Sequence, residues 1–373
     1  MSEDTRQELR GLSYPDLEAW VIAELGEKRF RAHQISMWMH GRYVRSFEEM
    51  TDISKKLRER LERVARIDNL RLDQRHIASD GTRKYRFEAL GGEMIESVFI
   101  PAASSDKRNA LCVSSQVGCA MGCTFCLTGR SGLIRSLSPA EIIGQVSEVA
   151  RDVAKDDLRI TNIVFMGMGE PLHNLKGVLP TINLLCHDSA FGLSTRRVTV
   201  STSGLLPGLK KLAEAAEPIQ IAVSLNASND KTRNDIMPVN KRWNIAALMK
   251  ACREFPLAAR RRITFEYVLM KGVNDSRENA YELAKLVAPV RSMVNLIPFN
   301  PHPGSRYVRG TRDEAEAFQN ILRAKGIQCY IRHTRGDEVL AACGTLSDVN
   351  YVAPESDQDR QVRDAALEAI DAI

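Results

Sequence analysis

The sequence predicts an α/β protein whose core is a partial (β/α)6 barrel, preceded by a small helical domain and a β meander. Three patterns predict this fold class. Val- and Ile-rich stretches alternate with amphipathic stretches over residues 109–351, which is typical of parallel strands covered by helices. Short alternating stretches between glycine-containing turns fill residues 70–108. Apolar residues recur at helical spacing in residues 1–69.

The first 69 residues are predicted to form a helical accessory domain. Its clearest helix carries apolar residues at steps of four, four and three, and these are Ile53, Leu57, Leu61 and Val64. That spacing gives one apolar face and one basic face. Residues 28–66 hold 11 Lys and Arg against 5 Asp and Glu. A solvated helical surface and a phosphate-binding face both explain this excess.

The core is predicted to begin with the strand NALCVSS. About six strand–helix units follow, fewer than the eight of a closed barrel, so an open partial barrel is expected. The first core helix has a clear start, with Ser138 as N-cap, Pro139 at the first helical position and Glu141 completing a capping box. Residues 352–373 form a polar tail without visible chemistry.

Composition narrows the function classes. The chain has 373 residues, 44% hydrophobic and 27% charged, as ordinary globular proteins have, and a mild net charge of +5. No apolar run approaches membrane-spanning length and the start MSEDTRQELRG has no signal-peptide layout, so a cytoplasmic protein is expected. In that reducing compartment, eight cysteines indicate metal binding, catalysis or burial rather than disulfides.

Three cysteines follow the first core strand in the pattern Cys119-x3-Cys123-x2-Cys126. A loop of this length can hold three corners of a 4Fe–4S cluster and leave the fourth iron without a protein ligand. Zinc sites usually need a fourth ligand with paired spacing, and no second CxxC or HxxxH is present. A ferredoxin would supply a fourth cysteine. The triad therefore predicts an iron–sulfur cluster with one open iron.

Small and polar residues end the later core strands, where ligands of parallel α/β sheets bind. The segment GMGEP contains Gly169 and Glu170; its glycines permit close approach and its acid suits an ammonium group. The other candidates are Ser201, Ser224, Leu225, Asn226 and Asn300. Taken singly, each of these is as compatible with turn chemistry as with ligand binding.

Together, the triad and GMGEP resemble the radical S-adenosylmethionine (SAM) superfamily. The resemblance implies that SAM chelates the open iron through its amino and carboxylate groups. Gly169, Glu170 and the later strand ends are then its expected contacts.

The five remaining cysteines separate into two groups. Cys186, Cys252 and Cys329 lie in apolar helix or strand patterns and are predicted to be buried. Cys112 lies on the first core strand, and Cys343 lies in the Gly-flanked segment AACGTL. The sequence around Cys112 and Cys343 is equally compatible with two buried thiols and with two functional thiols.

Nearly the whole chain, from about residue 10 to 351, resembles the RlmN group of RNA adenine methyltransferases, which has Cfr as a close relative. The matching segments are FRAHQISMWMH, MTDISKKLRERL, CVSSQVGCAMGCTFCLTG, GMGEP, VSTSG, AVSLNA, MPVN, YVLMKGVND, NLIPFNP and RGDEVLAACGTL. Within AVSLNA, Asn226 stands where His is expected.

The resemblance implies methylation of C2 of an adenine in 23S ribosomal RNA and in tRNA, with two SAM per turnover. One SAM methylates Cys343. The second is cleaved to a 5′-deoxyadenosyl radical, which takes a hydrogen from the methylated Cys343 before the resulting carbon radical adds to the base. Cys112 resolves the adduct and ends in a disulfide with Cys343. Methylation at C8, as in Cfr, and a non-catalytic RNA-binding protein with zinc or a structural cluster are the alternatives.

Glu96 matches the position of a proton acceptor in this group. It shares a predicted strand face with three apolar residues, so semi-burial would suit proton transfer, although a rim-exposed glutamate gives the same pattern. The basic helices and the segment RKYR at residues 83–86 are then expected to bind RNA phosphates and present an unstacked adenine. An electron donor such as flavodoxin, a monomeric state and no membrane association are also expected.

Overall fold

The computed structural model describes residues 4–103, 108–215, 218–302, 304–333, 335–336, 339, 341 and 343–346. The predicted tail, residues 352–373, lies outside these described residues. The helices are α1 (Tyr14–Leu25), α2 (Phe30–Ser36), α3 (Lys55–Val64), α4 (Leu127–Arg130), α5 (Pro139–Val153), α6 (Leu175–Cys186), α7 (Leu206–Ala215), α8 (Asp230–Ile236), α9 (Ile245–Glu254), α10 (Arg277–Val287) and α11 (Arg312–Ala324). The strands are β1 (Gln7–Glu8), β2 (Ala65–Arg66), β3 (Arg71–Ile77), β4 (Arg83–Glu88), β5 (Met94–Ile100), β6 (Ala110–Cys112), β7 (Gln116–Gly118), β8 (Leu133–Ser136), β9 (Asn162–Phe165), β10 (Val198–Thr202), β11 (Gln220–Ser224), β12 (Ile263–Leu269), β13 (Ser292–Pro298) and β14 (Cys329–Ile331).

One large sheet organises the molecule. In the described part of the chain it has ten strands in the order β14-β13-β12-β11-β10-β9-β6-β5-β4-β3. Within this sheet β6 and β9 to β14 run parallel to one another, and β3, β4 and β5 are antiparallel. Each of the six core strands, β6 and β9 to β13, is followed by helix before the next core strand, which confirms the predicted partial (β/α)6 barrel. The predicted meander continues the core sheet.

The strand register sorts the core residues onto two faces. One lateral row, formed by Val223, Phe265 and Val294 on β11, β12 and β13, is apolar and completely buried. The neighbouring row contains Ser224 and Glu266, which are paired in register. Because side chains alternate across a strand, the apolar row forms the core and the polar row faces the cavity described below.

Helix α5 begins where its sequence predicts. Ser138 Oγ accepts a hydrogen bond from Glu141 N at 3.2 Å, and Glu141 Oε2 accepts one from Ser138 N at 2.9 Å. Pro139 occupies the first helical position. This reciprocal capping box satisfies two backbone donors at the helix start and sets the direction of the first core helix.

Residues 9–67 pack around a hydrophobic cluster of their own, built from α1, α2, α3 and the connections between them. Leu57 and Leu61 are buried in it, whereas Val64 at the end of α3 is exposed. This unit lies against the core: Ser36 Oγ donates to Ser189 O at 2.6 Å, and Arg45 forms an ion pair with Glu148. Among the described residues, no helix has the length and apolarity that a membrane crossing requires.

His40 lies at this junction, with its ring 5.2 Å from that of Phe191. It is 1% exposed, and both ring nitrogens lack a hydrogen-bond partner among the described residues. Burial lowers the pKa of His40 to about 3, and the nearby Arg10 charge acts in the same direction. The folded protein therefore holds His40 neutral over a pH range in which the unfolded chain protonates it.

The difference between the folded and the unfolded pKa of His40 predicts a contribution to the free energy of unfolding that is lost in acid. Because the folded pKa lies below the unfolded value of 6.5, the contribution is complete above that value and declines as the pH falls towards 3. Between pH 7 and pH 5 the His40→Phe variant should lose about 2 kcal/mol less unfolding free energy than the unsubstituted protein. Urea unfolding at both pH values measures this. The exposed His33→Phe is the control, and equal losses in all three proteins would contradict the assignment.

Candidate active site

A cavity opens at the carboxyl ends of the core strands, where parallel α/β sheets bind ligands. We call it the main cavity. Predicted residues that line it are Cys119, Cys123, Cys126, Gly169, Glu170, Ser201, Ser224, Asn226 and Cys343. A second cavity, the thiol cavity, is lined by Cys112, Asn300, Arg332 and again Cys343. The structure thus brings residues more than 200 positions apart to one place.

The three-cysteine loop is held in a compact form by its own backbone. It connects the antiparallel strands β7 and β8, and Cys119 N donates to Gly132 O at 2.7 Å. Gly118 has a φ of +73°, and a Cβ there would lie 1.9 Å from Gly132 O, so only glycine fits. Cys126 N donates to Cys123 O at 3.1 Å, and Cys126 is the N-cap residue of α4.

Apolar side chains surround the cysteine loop. Met121, Phe125, Met237, Phe299 and Tyr307 belong to the cluster that packs against the three cysteines. Thr124 Oγ1 and Tyr307 Oη share a hydrogen bond of 2.6 Å that fixes the loop from outside. Met121, Phe125, Met237 and Phe299 also line the main cavity, so the cysteine loop lies in a largely apolar environment.

The donor chemistry of the three thiols fits an iron–sulfur cluster. Burial raises the pKa of Cys119, Cys123 and Cys126, and proximity to each other raises it further for Cys119 and Cys123. Such thiols become thiolates only beside positive charge, which cluster irons provide. Within the described residues, no three His, Cys, Asp or Glu side chains form a group that could hold a single metal ion. A cluster is compatible with this spacing because each thiolate binds a different iron.

The GMGEP segment is packed tightly against the strand that leads into the cysteine loop. Gly169 has a φ of +98°, and a Cβ there would lie 2.5 Å from Gln116 Cβ. Position 169 therefore requires glycine to pack against Gln116, whether or not a ligand binds beside it. Glu170 is buried, and its carboxylate accepts from Leu172 N at 3.2 Å and Ser203 N at 2.8 Å. Burial raises the pKa of Glu170.

The later strand ends differ in what they present. Ser201 and Ser224 line the main cavity. Asn226, in the left-handed region at a φ of 56°, also lines it, but its Oδ1 already accepts from Val268 N at 2.9 Å. Leu225 lies in the hydrophobic core, where its N donates to Glu266 O and its carbonyl accepts from Arg233 Nε. Of the predicted contacts, Leu225 is the one whose side chain the structure places away from both cavities.

Asn300 holds the Cys343 backbone. Its Nδ2 donates to Cys343 O at 3.1 Å, and its Oδ1 accepts from Arg309 at 3.0 Å. Asn300, which the sequence predicts as a SAM contact, thus has a structural role: it holds the backbone of Cys343 beside the thiol cavity.

Glu96 is 3% exposed, so it is not a rim glutamate. It is also not a lone acid in an apolar row, because Lys84 Nζ lies 2.8 Å from its Oε1 across the β4–β5 pair. Its strand face is shared with Val98, which pairs in register with Cys112 and lines the thiol cavity. The Lys84 ammonium stabilises the carboxylate form of Glu96.

The two thiols and Arg332 form one electrostatic group. Burial, with the nearby Cys343 acting in the same direction, raises the pKa of Cys112 to about 12. Burial also raises the pKa of Cys343, although it is exposed towards the cavities, while Arg332 acts in the opposite direction. Both thiols are free in this structure. The guanidinium of Arg332 is thus the local charge that favours thiolate formation at either cysteine.

The segment that carries Cys343 rests on the helix that follows the cysteine loop. Leu127 N donates to Gly344 O at 2.8 Å, and the buried Thr128 Oγ1 donates to Leu346 O at 2.6 Å. These residues directly follow Cys126 in the chain. The position of Cys343 is therefore coupled to the conformation of the cysteine loop.

Sequence reasoning missed three residues at this site. Gln116 Oε1 accepts a hydrogen bond from Glu170 N at 2.9 Å and so joins the GMGEP segment to strand β7, which leads into the cysteine loop. Glu266, 5% exposed, lines the main cavity with its Oε2 lacking a partner among the described residues. Arg332 lies beside both thiols. A carboxylate in the middle of an otherwise apolar strand was the available signal for Glu266.

Comparisons with known proteins agree with this geometry. Residues 7–67 match the family described as the ribosomal RNA large subunit methyltransferase N-terminal domain, and residues 113–284 match the radical SAM superfamily. The chain is 46% identical over 346 residues to the dual-specificity RNA methyltransferase RlmN of Pelobacter propionicus, covering 93% of this chain and 96% of that protein. It is 46% identical over 343 residues to the RlmN of Geobacter sulfurreducens, covering 92% of both.

A solved structure shares the fold over most of the chain. The crystal structure of a radical SAM methyltransferase from Sphaerobacter thermophilus superposes with a TM-score of 0.86 at 40% identity. The match covers 91% of this chain and 99% of that one.

Thr128 offers a test of the coupling between α4 and the Cys343 segment. Thr128→Val leaves Leu346 O without its buried donor, so the segment should open more often and the alkylation of Cys343 by iodoacetamide should accelerate about 2- to 12-fold. Mass spectrometry of the Cys343 peptide measures the rate. Thr128→Ser keeps the hydroxyl and should behave as the unsubstituted protein. An unchanged rate in Thr128→Val at equal iron content would contradict the coupling.

Proposed function

The chain belongs to the RlmN family of radical SAM RNA methyltransferases, and from this premise we propose that it methylates C2 of an adenine in 23S ribosomal RNA and in tRNA. It is an RNA methyltransferase that uses a 4Fe–4S cluster and SAM. We further propose a methylated Cys343 intermediate and two SAM per turnover. The observation that supports this proposal is that Cys343 lines both the main cavity and the thiol cavity.

The cofactors and the chain divide the work. When bound, the cluster supplies the electron for SAM cleavage, and SAM supplies both the methyl group and the hydrogen-abstracting radical. Cys119, Cys123 and Cys126 would hold the cluster. Gly169, Glu170, Ser201, Ser224 and Asn226 surround the space for SAM, and Glu170 suits its ammonium group. Leu225 and Asn300 were predicted as further SAM contacts; the backbone of Leu225 and the amide of Asn300 already have partners.

Cys343 is the proposed methyl carrier. As a thiolate favoured by Arg332, Cys343 would attack the methyl carbon of SAM; the bond between that carbon and the sulfonium sulfur would break, S-adenosylhomocysteine would leave, and Cys343 would become a methyl thioether. From the main cavity side this thioether would lose a hydrogen atom to the radical that SAM cleavage supplies. From the thiol cavity side the resulting carbon radical would bond to C2 of the base. The adduct would then lose one electron, which the oxidised cluster can accept, and the proton of C2.

Cys112 is the proposed resolving residue. Its thiolate attacks Sγ of Cys343, the bond between that sulfur and the transferred carbon breaks, and the electron pair and a proton remain with the new methyl group. A disulfide between Cys112 and Cys343 results, and a two-electron donor must reduce it before the next turnover. Glu96 is the proposed acceptor of the proton from C2, in its carboxylate form stabilised by Lys84.

The remaining assignments concern organisation and partners. We propose residues 1–69 as an RNA-binding accessory domain, residues 70–108 as a β extension and residues 109–351 as the catalytic barrel. Flavodoxin as electron donor and a monomeric state remain predictions.

The regiochemistry is tested by nucleoside analysis. The anaerobically reconstituted protein is given SAM with a deuterated methyl group, a reductant and RNA from cells that lack this gene. We expect iron at the triad, SAM cleavage and labelled 2-methyladenosine in the digested RNA. Labelled 8-methyladenosine would assign the C8 reaction instead. Zinc at the triad with no iron and no SAM cleavage would contradict the enzyme assignment for this site.

The resolving role of Cys112 has its own test. Cys112→Ala should form the adduct without releasing it, so protein covalently joined to RNA should accumulate to near the amount of active enzyme. Denaturing gel electrophoresis with labelled RNA measures this species. The variant Cys112→Ala/Cys343→Ala should form none, and Cys186→Ala, which lies outside both cavities, should turn over normally. Free methylated RNA from Cys112→Ala at the normal rate would remove Cys112 from the mechanism.

A further inference from the structure

A third cavity lies beside the thiol cavity, and neither the cluster nor SAM accounts for it. It is formed by the edge strand β14, helix α11 and the connection between β13 and α11. Four arginines line it, namely Arg309, Arg312, Arg323 and Arg332, together with His333 and Tyr330. Glu316 is the one acidic residue in its described lining, so the arginines exceed it by three positive charges. We call it the arginine pocket.

We propose that the arginine pocket binds the phosphodiester backbone of the substrate RNA beside the target adenine, with Tyr330 stacking on a neighbouring base. This inference rests on the proposed RNA substrate and adds a contact site outside the catalytic cavities. It concerns the strand that flanks the target base.

Two of the four arginines, Arg312 and Arg323, carry charge that an anion can compensate. Arg323 donates to Cys329 O at 3.1 and 3.0 Å, and a neutral carbonyl leaves its positive charge uncompensated. Arg312 is 77% exposed and pairs at 2.7 Å with Glu316, a surface contact that phosphate can replace at small cost. Arginine is well suited to phosphate because its planar fork donates two parallel hydrogen bonds.

The shape of the pocket suits an extended strand. Arg312, Glu316, Gln319 and Arg323 follow one side of α11 at steps of four, three and four, and they line the pocket opposite β14. At 1.5 Å per residue the two terminal arginines are about 16 Å apart along the helix axis. This length accommodates more than one phosphate of an extended strand.

The pocket adjoins the thiol cavity. Arg332 and His333 line both. A strand whose adenine enters the thiol cavity therefore passes Arg332 and places its next phosphates against α11. Tyr330 is 45% exposed on the edge strand, where a base unstacked from its neighbours can pack on the ring.

The test is RNA binding by the cluster-loaded protein as a function of salt. The probe is a fluorescein-labelled RNA stem–loop with the target adenine in its loop, titrated anaerobically by fluorescence anisotropy at several KCl concentrations. Arg312→Ala should reduce the slope of log affinity against log salt by about 0.7, the value for one phosphate of a single strand. Tyr330→Ala should weaken binding about 5- to 150-fold with an unchanged slope.

Lys250→Ala is the matched control. Lys250 is exposed and pairs with Glu254 one turn along α9, as Arg312 pairs with Glu316 on α11. It should alter neither affinity nor slope, and SAM binding should be the same in all variants.

Two outcomes would overturn the pocket assignment. In one, the unsubstituted protein binds the RNA and both pocket variants match it in affinity and slope. In the other, removal of the acidic residues 352–373 tightens RNA binding and Arg312→Ala abolishes the gain, which assigns the pocket to that segment. Failure of the unsubstituted protein to bind the RNA would instead contradict the proposed function itself.

Discussion

The register of the parallel strands decides which chemical groups meet in this protein. Strands β11 to β13 place Val223, Phe265 and Val294 in one lateral row and the cavity residues Ser224 and Glu266 in the next. A slip of one residue would exchange the two rows, burying Glu266 among helices and exposing the core. Because the apolar row packs against six helices, that slip would cost much of the burial energy of the core. The hydrophobic core therefore sets the position of the cavity residues.

A second constraint joins the cysteine loop to the segment that carries Cys343. Thr128 and Leu127 follow Cys126 directly and hold the backbone of Gly344 and Leu346. Any rearrangement of the cysteine loop therefore moves the support of Cys343. In the proposed reaction this keeps the methyl carrier close to the site of radical formation, as a hydrogen transfer between them requires.

Patterns of local sequence predicted most of the fold. The core strands are short runs of buried apolar residues, and Ser138 with Glu141 marks a helix start that depends only on neighbouring residues. Strand β3, Arg71–Ile77, escaped prediction because most of its side chains are exposed and it has no apolar alternation. Its strand conformation comes from pairing with β4.

Those residues of the candidate site whose type and spacing are characteristic of a particular chemistry could be predicted from the sequence. Cys119, Cys123 and Cys126 identify themselves by spacing, and the structure places them on one cavity. Partners distant in sequence were not predictable, because only the folded sheet brings Lys84 to Glu96. Leu225 shows the converse: a residue between two cavity-lining residues points to the opposite side of the chain.

The division of the site into two cavities has a chemical consequence for the proposed reaction. A carrier cysteine must meet SAM and later the base, and two such large ligands cannot occupy the same space. Cys343 borders both cavities, so a rotation of its side chain can serve each in turn without movement of the sheet. Arg332 remains beside the sulfur in the thiol cavity, and Asn300 holds the backbone of Cys343 in place. Because its backbone is held in place and its side chain borders both cavities, the one thiol of Cys343 can act in successive steps of the proposed reaction.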